Sequence, residues 1–447
     1  MLGKTVFSDE YGYGKVIGTR FMQDELYIEF NQPKLKRWLK RNKVKIIEDS
    51  SLIPEKKEKI ESVPLSEELK ARMSLESLRL GNVPLYHAEQ IIVGRKHEID
   101  TLKYFLKSDS QNVIYLVGNY GSGKTHFLKW LNEVALENYF ATALIELDNI
   151  EVPPNNSYKI YKKILESLKV KKGNVHYDFI DLLNFLIKNI KENKLDYYGN
   201  NRILYSFFSY IKTFDNINIY EVLEWWLGYS KLPKMKSKIP TVQTATNVHI
   251  NLLTFLSDYL TSYLGFNGLL ILIDEAEFIE NTLLNLRRMT LAKNFIKALT
   301  LTCKNSIISN EGYTDNDQNM TIGKKSGLIY GANYTDIPYI HKSPNYLKAV
   351  IAFTPIEFAD ELIDDFSLDV IELNDLSKDD YKILTRNIIN LYNLGYKLNI
   401  NAEDFIEENF EFIFQKSNNS TRLFSKFVIE KLDLYNYQLF KEGKIKF

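Results

Sequence analysis

The run VIYLVGNYGSGKTH, residues 113–126, decides the fold. Val113 to Val117 are apolar without interruption and read as a short buried strand, while a helical pattern opens at Lys124 and continues to about Glu137. Between them Gly118-Asn119-Tyr120-Gly121-Ser122-Gly123-Lys124-Thr125 matches GxxxxGK[ST] in the strand–loop–helix setting that this motif requires. Glycines at these positions let successive backbone N–H groups turn inward around a β-phosphate, and the helix N-terminus adds its dipole. Lys124 then bridges the β- and γ-phosphates, and Thr125 offers its hydroxyl to Mg²⁺. A nucleoside triphosphate with Mg²⁺ is the expected ligand.

Working outward, Gly268 to Ile273 forms a second apolar run, and it ends in Asp274-Glu275 roughly 150 residues after Lys124. Asp274 is placed to hold Mg²⁺ through water, and Glu275 to orient or deprotonate an attacking water. The pair can equally cap the helix that follows, and the two roles are compatible. Glu277 reads as a cap or a solvated residue. Ala349 to Phe353 is a further strand; Thr354 at its end is either a sensor of the γ-phosphate or a turn hydroxyl before Pro355. Ala141–Leu147 and Asp369–Leu373 complete the strand set. Strands alternating with helices predict an open α/β sheet with parallel neighbours. Near the C-terminus, Asn418-Asn419-Ser420-Thr421-Arg422 precedes a helix, which makes Arg422 either a group that reaches back over the γ-phosphate or a surface arginine.

The rest of the chain divides around this core. Residues 1–48 alternate short apolar stretches with turn signals and predict a small β-barrel. Within them Lys34 to Lys45 packs seven basic residues into twelve, with Leu35, Trp38 and Leu39 at helical spacing. This segment either contacts DNA phosphates or is a solvated basic face balanced by Asp24, Glu25 and Glu29. Residues 49–68 read as a linker, 69–375 as the nucleotide-binding core, 155–263 as a helical insertion, 303–345 as a mobile loop and 376–447 as a helical lid.

Composition narrows the chemistry. The chain has 447 residues with Lys+Arg 57 and Asp+Glu 57, so contact with a nucleic acid needs a local patch rather than a basic body. Cys303 is the single cysteine and there are six histidines, which excludes an intrachain disulfide and zinc or iron–sulfur sites built on cysteine. The N-terminal residues carry no apolar signal region, and no stretch approaches the ~18 apolar residues of a membrane helix. A soluble chain in a reducing cytoplasm is expected.

Val93-Gly94-Arg95 and Glu98 ahead of the first strand, with the strand ends above, resemble the AAA+ ATPases of the origin-recognition and STAND branch. More specifically, LESLRLGNVPLYHAEQIIVGRKHEID, YLVGNYGSGKTHFL, LIDEAEF and LRRMTLAKNFIKAL are similar to the BREX-type phage-defence ATP-binding proteins (BrxD-like), over roughly residues 70 to 440. The resemblance implies an AAA+ P-loop NTPase with a parallel sheet, a helical insertion and a C-terminal helical lid. It implies Val93, Gly94 and Arg95 against the adenine, Gly118 to His126 around the phosphates, Thr125 and Asp274 for Mg²⁺, and Glu275 for hydrolysis, with Lys124, Thr354 and Arg422 acting on the γ-phosphate. In ring-forming members an arginine follows the sensor strand, but the stretch IEFADELIDDFSLDVIEL has none. Arg287 or Arg288 is a substitute, or a surface pair on an amphipathic helix. The N-terminal region resembles Tudor or SH3-like barrels.

Four functions compete at this stage. The first is an ATPase of an antiviral defence system that switches its contact with double-stranded DNA, a helicase or another defence protein. The others are an origin-recognition-like initiator, a nucleotide-stabilised adaptor without turnover, and a metabolic kinase. A complete site with Glu275 favours the first.

Overall fold

A computed structural model describes residues 5–8, 12–20, 25–30, 35–46, 65–82, 84, 86–173, 175–197, 199–235, 237–281, 285–306, 311–418 and 420–441. Most of the expected linker lies outside them.

At the N-terminus β1 (Thr5–Ser8), β2 (Gly12–Arg20), β3 (Glu25–Phe30), β4 (Leu35–Lys40) and β5 (Lys45–Ile46) form an antiparallel sheet ordered β4-β3-β2-β1-β5. Val6, Val16, Leu26 and Ile28 make its small core. The basic segment expected as a helix is strand β4. Its backbone pairs with β3 in antiparallel register, Lys40 opposite Glu25 and Lys36 opposite Glu29. Leu35 and Leu39 satisfy a period of 2 as well as one of 3.6, which is why spacing alone misleads here.

The main body is a seven-stranded sheet with helices on its faces. In chain order it runs α1 (Glu67–Arg79), α2 (Ala88–Ile91), α3 (Lys96–Lys107), β6 (Val113–Gly118), α4 (Lys124–Glu137), β7 (Ala141–Glu146), α5 (Ser157–Ser167), β8 (Lys169–Lys172) and β9 (Val175–Asp178). Helices α6 (Phe179–Lys191), α7 (Arg202–Thr213), α8 (Ile219–Trp226) and α9 (Thr246–Leu264) follow, so the helical insertion expected over residues 155–263 also holds α5 and the strands β8 and β9. After it come β10 (Leu269–Asp274), α10 (Phe278–Asn281), α11 (Leu286–Cys303), β11 (Tyr313–Asp315), β12 (Thr321–Gly323), β13 (Ile329–Tyr330), β14 (Leu347–Phe353), α12 (Glu357–Phe366) and β15 (Asp369–Leu373). The sheet order is β15-β6-β14-β10-β7-β8-β9, parallel from β15 to β7, with β8 and β9 added antiparallel at one edge. Strands β10 and β14 are buried along their whole length, as parallel strands covered on both faces must be. All five parallel strands end on one side, and there the glycine loop, Asp274 and Thr354 emerge. This mixed α/β fold with a mainly parallel sheet is consistent with a P-loop NTPase.

The mobile loop expected over residues 303–345 starts at the end of α11, and its residues 311–345 carry the three-stranded sheet β11-β12-β13. Helix α9 explains its order. All its residues from Thr246 to Leu260 are buried, and buried amides must find partners. Asn247 donates to Tyr334 O and Ile337 O, both at 2.8 Å, and accepts Gly331 N–H at 3.1 Å. Asn251 donates to Pro338 O at 2.8 Å. The long connection is therefore stapled to the insertion.

Helices α13 (Lys378–Tyr396), α14 (Ala402–Ser417) and α15 (Thr421–Lys441) close the described chain. They share one apolar core with Ala71, Leu75 and Leu78 of α1, each large side chain contributing about 1.5–3 kcal/mol on burial. Arg79 forks onto Asp433 at 3.0 and 2.9 Å, and Arg72 donates to Gly395 O at 2.5 Å. The helices expected as a lid thus share their core with a helix from ahead of the glycine loop. No helix among the described residues is long and apolar enough to cross a membrane.

Candidate nucleotide site

The glycine loop is shaped by its backbone. Gly123, which precedes α4, has φ +100°, a conformation that a side chain resists. Ser122 N–H closes the turn on Asn119 O at 3.1 Å. The first-turn amides of α4 lack partners within the helix, which leaves them for an anion. Lys124 is 7% exposed, and its ammonium donates to Gly118 O at 2.8 Å and Asn119 O at 3.3 Å.

Opposite the loop, β10 delivers its carboxylates. The Thr125 hydroxyl hydrogen-bonds Asp274, and Asp274 Oδ1 accepts Glu275 N–H at 3.0 Å. Burial raises the Asp274 pKa above its ordinary value against these bonds and the nearby Lys124 charge. Glu275 stands at φ +56°, a position that costs a non-glycine residue about 1 kcal/mol or more and that recurs at functional sites. Its carboxyl is pushed up to about 7, first by burial, then by repulsion from Glu277 and Asp274. Glu146 at the end of β7 lies in register with Asp274 and adds to that repulsion.

A cavity of about 360 Å³ joins these groups to the lid. Tyr120, Gly121, Gly123 to His126, Asp274 and Glu275 form one wall. Arg422, with Ser420, Thr421 and Ser425, forms the other, together with Leu78, Gly81, Asn82 and Ile91. Arg422 lies against Gly81, where an added Cβ would meet its Nε at 2.6 Å. His126 Nε2 and Ser122 Oγ are buried polar atoms without a hydrogen-bond partner among the described residues. Burial pushes the His126 ring down to about 4, which keeps it neutral.

Other expected contacts stand elsewhere. Val93 belongs to the lid core. Gly94, at φ +66°, leaves room for the Asp380 carboxyl, which a Cβ would approach to 2.6 Å. Arg95 is 6% exposed and donates to Asn374 O and to Glu98 at 3.4 Å. None of the three lines the cavity: Arg95 holds the connector between β15 and α13, and Gly94 makes room for α13 itself. Thr354 does not line the cavity, and its N–H donates to Glu277 Oε2 at 3.3 Å. Arg287 donates to Gln318 O at 2.9 Å, and neither it nor the exposed Arg288 lines the cavity. Glu277, Glu146 and the α1 contributions carry no local motif, and only the fold brings them in.

Residues 67–203 match the family model of the BREX system ATP-binding protein BrxC/D. The match spans α1 through the glycine loop into α7 and stops short of Asp274, Thr354 and Arg422. Over that part the chain is similar to BREX ATP-binding proteins. No curated protein matches it.

Proposed function

We propose that this protein binds ATP with Mg²⁺ and hydrolyses it, as a cytoplasmic AAA+ switch that acts on DNA or a DNA-processing partner in BREX-like antiviral defence. The similarity over residues 67–203 supports ATP and the BREX setting. Hydrolysis rests on one observation: Glu275, a carboxylate held at positive φ, lines the same cavity as Lys124, Thr125 and Asp274.

The residues divide the work. Lys124 and the first-turn amides of α4 bind the polyphosphate, with Gly118 to Gly123 allowing close approach. Thr125 and Asp274, hydrogen-bonded to each other, offer the hard oxygen ligands that Mg²⁺ prefers. Bound there, the ion would neutralise charge on the phosphate oxygens. Glu275, with a pKa of about 7, is matched to taking a proton from water at neutral pH. Arg422 lines the cavity from the helical side, where it answers the γ-phosphate, and Glu277 holds the Thr354 amide beside the end of β10.

The test is steady-state ATP hydrolysis by the full chain with and without double-stranded DNA, beside Lys124→Ala and Glu275→Gln. Turnover that DNA stimulates and both substitutions abolish is expected. Tight binding with no turnover in either condition would replace the enzyme with a nucleotide-stabilised adaptor.

A further inference from the structure

The turn after Asp274 is joined to the β14–α12 turn by a seam of three hydrogen bonds. Ala276 N–H donates to Ala352 O at 3.0 Å, extending the β10–β14 pairing by one step. Glu277 Oε2 then accepts Thr354 N–H at 3.3 Å. Glu280, one helical turn on, accepts Phe358 N–H at 3.1 Å through Oε1. The last bond has a clear physical reason. The residue before α12 is Ile356, which makes no side-chain capping bond, so an orphan amide of the first turn is satisfied by a carboxylate from another element. Such bonds to ionised acceptors are stronger than neutral ones. Helix α10, with four residues, is too short to hold its own geometry, and the seam gives it a fixed place. Lys293 of α11 adds an ion pair with Glu361 of α12 at 3.3 Å.

We propose that Glu277 is a positioning residue: it holds the Thr354 amide against the carboxylate end of β10 and, with Glu280, makes the β10 turn and the start of α12 move as one piece. The inference rests on the reading of the adjoining cavity as the ATP site. Glu277 does not line that cavity, so it acts through Thr354 and through the turn that carries Glu275. Nothing local in the sequence marks it, because its bonding partner lies 77 residues away.

The experiment compares the full chain with Glu277→Ala, which removes the acceptor, and Glu277→Gln, which keeps a carbonyl acceptor without the charge. Amide hydrogen exchange over residues 354–358 is read without nucleotide, beside steady-state ATP hydrolysis at about pH 8, where Glu275 is largely ionised. In Glu277→Ala these amides should exchange about tenfold faster or more, while β6 and α15 exchange as in the wild type. Its kcat should fall about tenfold with KM for ATP within about twofold, and Glu277→Gln should recover most of both. Unchanged exchange in Glu277→Ala, or a Gln variant as impaired as the Ala variant, overturns the proposal. If the Ala variant does not fold, Glu277→Ser takes its place with the same expectations. The exchange comparison needs no turnover, so a wild type that fails to hydrolyse ATP overturns the enzymatic reading alone.

Discussion

Glu275 offers a test with a calculable shape. Its carboxyl is pushed up to about 7 by burial and by the charges of Glu277 and Asp274. The ionised form is the base, so activity is lost on the acid side. At pH 6 only about one carboxyl in eleven is ionised, and kcat/KM, which reports the free enzyme, should fall about tenfold from its plateau above about pH 8. An ordinary glutamate, with a pKa near 4.3, would leave the rate within about 5% over the same interval. Initial rates of phosphate release at constant ionic strength and excess magnesium, from about pH 5.5 to 9, separate the two cases. Glu275→Gln should lower kcat by about 10²–10⁴-fold while still binding ATP. The same shift sets a stability sign. A carboxyl whose pKa is raised by folding destabilises the folded state fully above about pH 7, and progressively less as pH falls towards the unfolded value. Glu275→Gln should therefore melt higher than the wild type at pH 8, with the difference shrinking towards pH 5. A flat rate profile between pH 6 and 8, or a Gln variant keeping more than about a tenth of the activity, would refute the assignment of Glu275 as the base.

Further outcomes follow from other contacts. Lys124→Ala should weaken ATP binding at least about tenfold by calorimetry, since it removes a buried ammonium beside the loop carbonyls. Asn247→Ala strands the Tyr334 and Ile337 carbonyls and the Gly331 amide, and should cost about 2–4 kcal/mol, read as a drop in chemical-denaturation midpoint. Gly94→Ala meets both a positive φ and the Asp380 carboxyl; it should cost about 1–3 kcal/mol and loosen the lid, read as faster amide exchange in α13.

The glycine loop and the β10 carboxylates were legible in the sequence because each is a local pattern, an apolar strand followed by residues whose chemistry is spent within a few positions. Other features depend on partners far along the chain. Arg95 belongs to a recognisable VGR box, yet its guanidinium goes to Asn374 O, 279 residues away. Glu277 reads as a cap until the fold lays Thr354 beside it. The 311–345 segment looks loose by composition, since its order comes from asparagines on α9. For Leu35 to Lys40 the ambiguity was in the pattern itself, since it fits a period of 2 as well as one of 3.6, and backbone pairing with β3 decided it.

The helix ahead of the glycine loop has one more consequence, for synthesis of the chain on the ribosome. Arg79 emerges 354 residues before Asp433, the partner it grips. At bacterial-like rates of about 5–20 residues per second, the wait is about 20–70 s. Through most of that interval, until α13 emerges, Ala71, Leu75 and Leu78 have no lid core to enter, and α15, which begins beside Arg422 of the cavity wall, is the last of the described helices to join it. A chain cut short within α15 would leave part of the core shared by α1, α13 and α14 uncovered, which marks such a product for aggregation or removal rather than for idle binding of nucleotide.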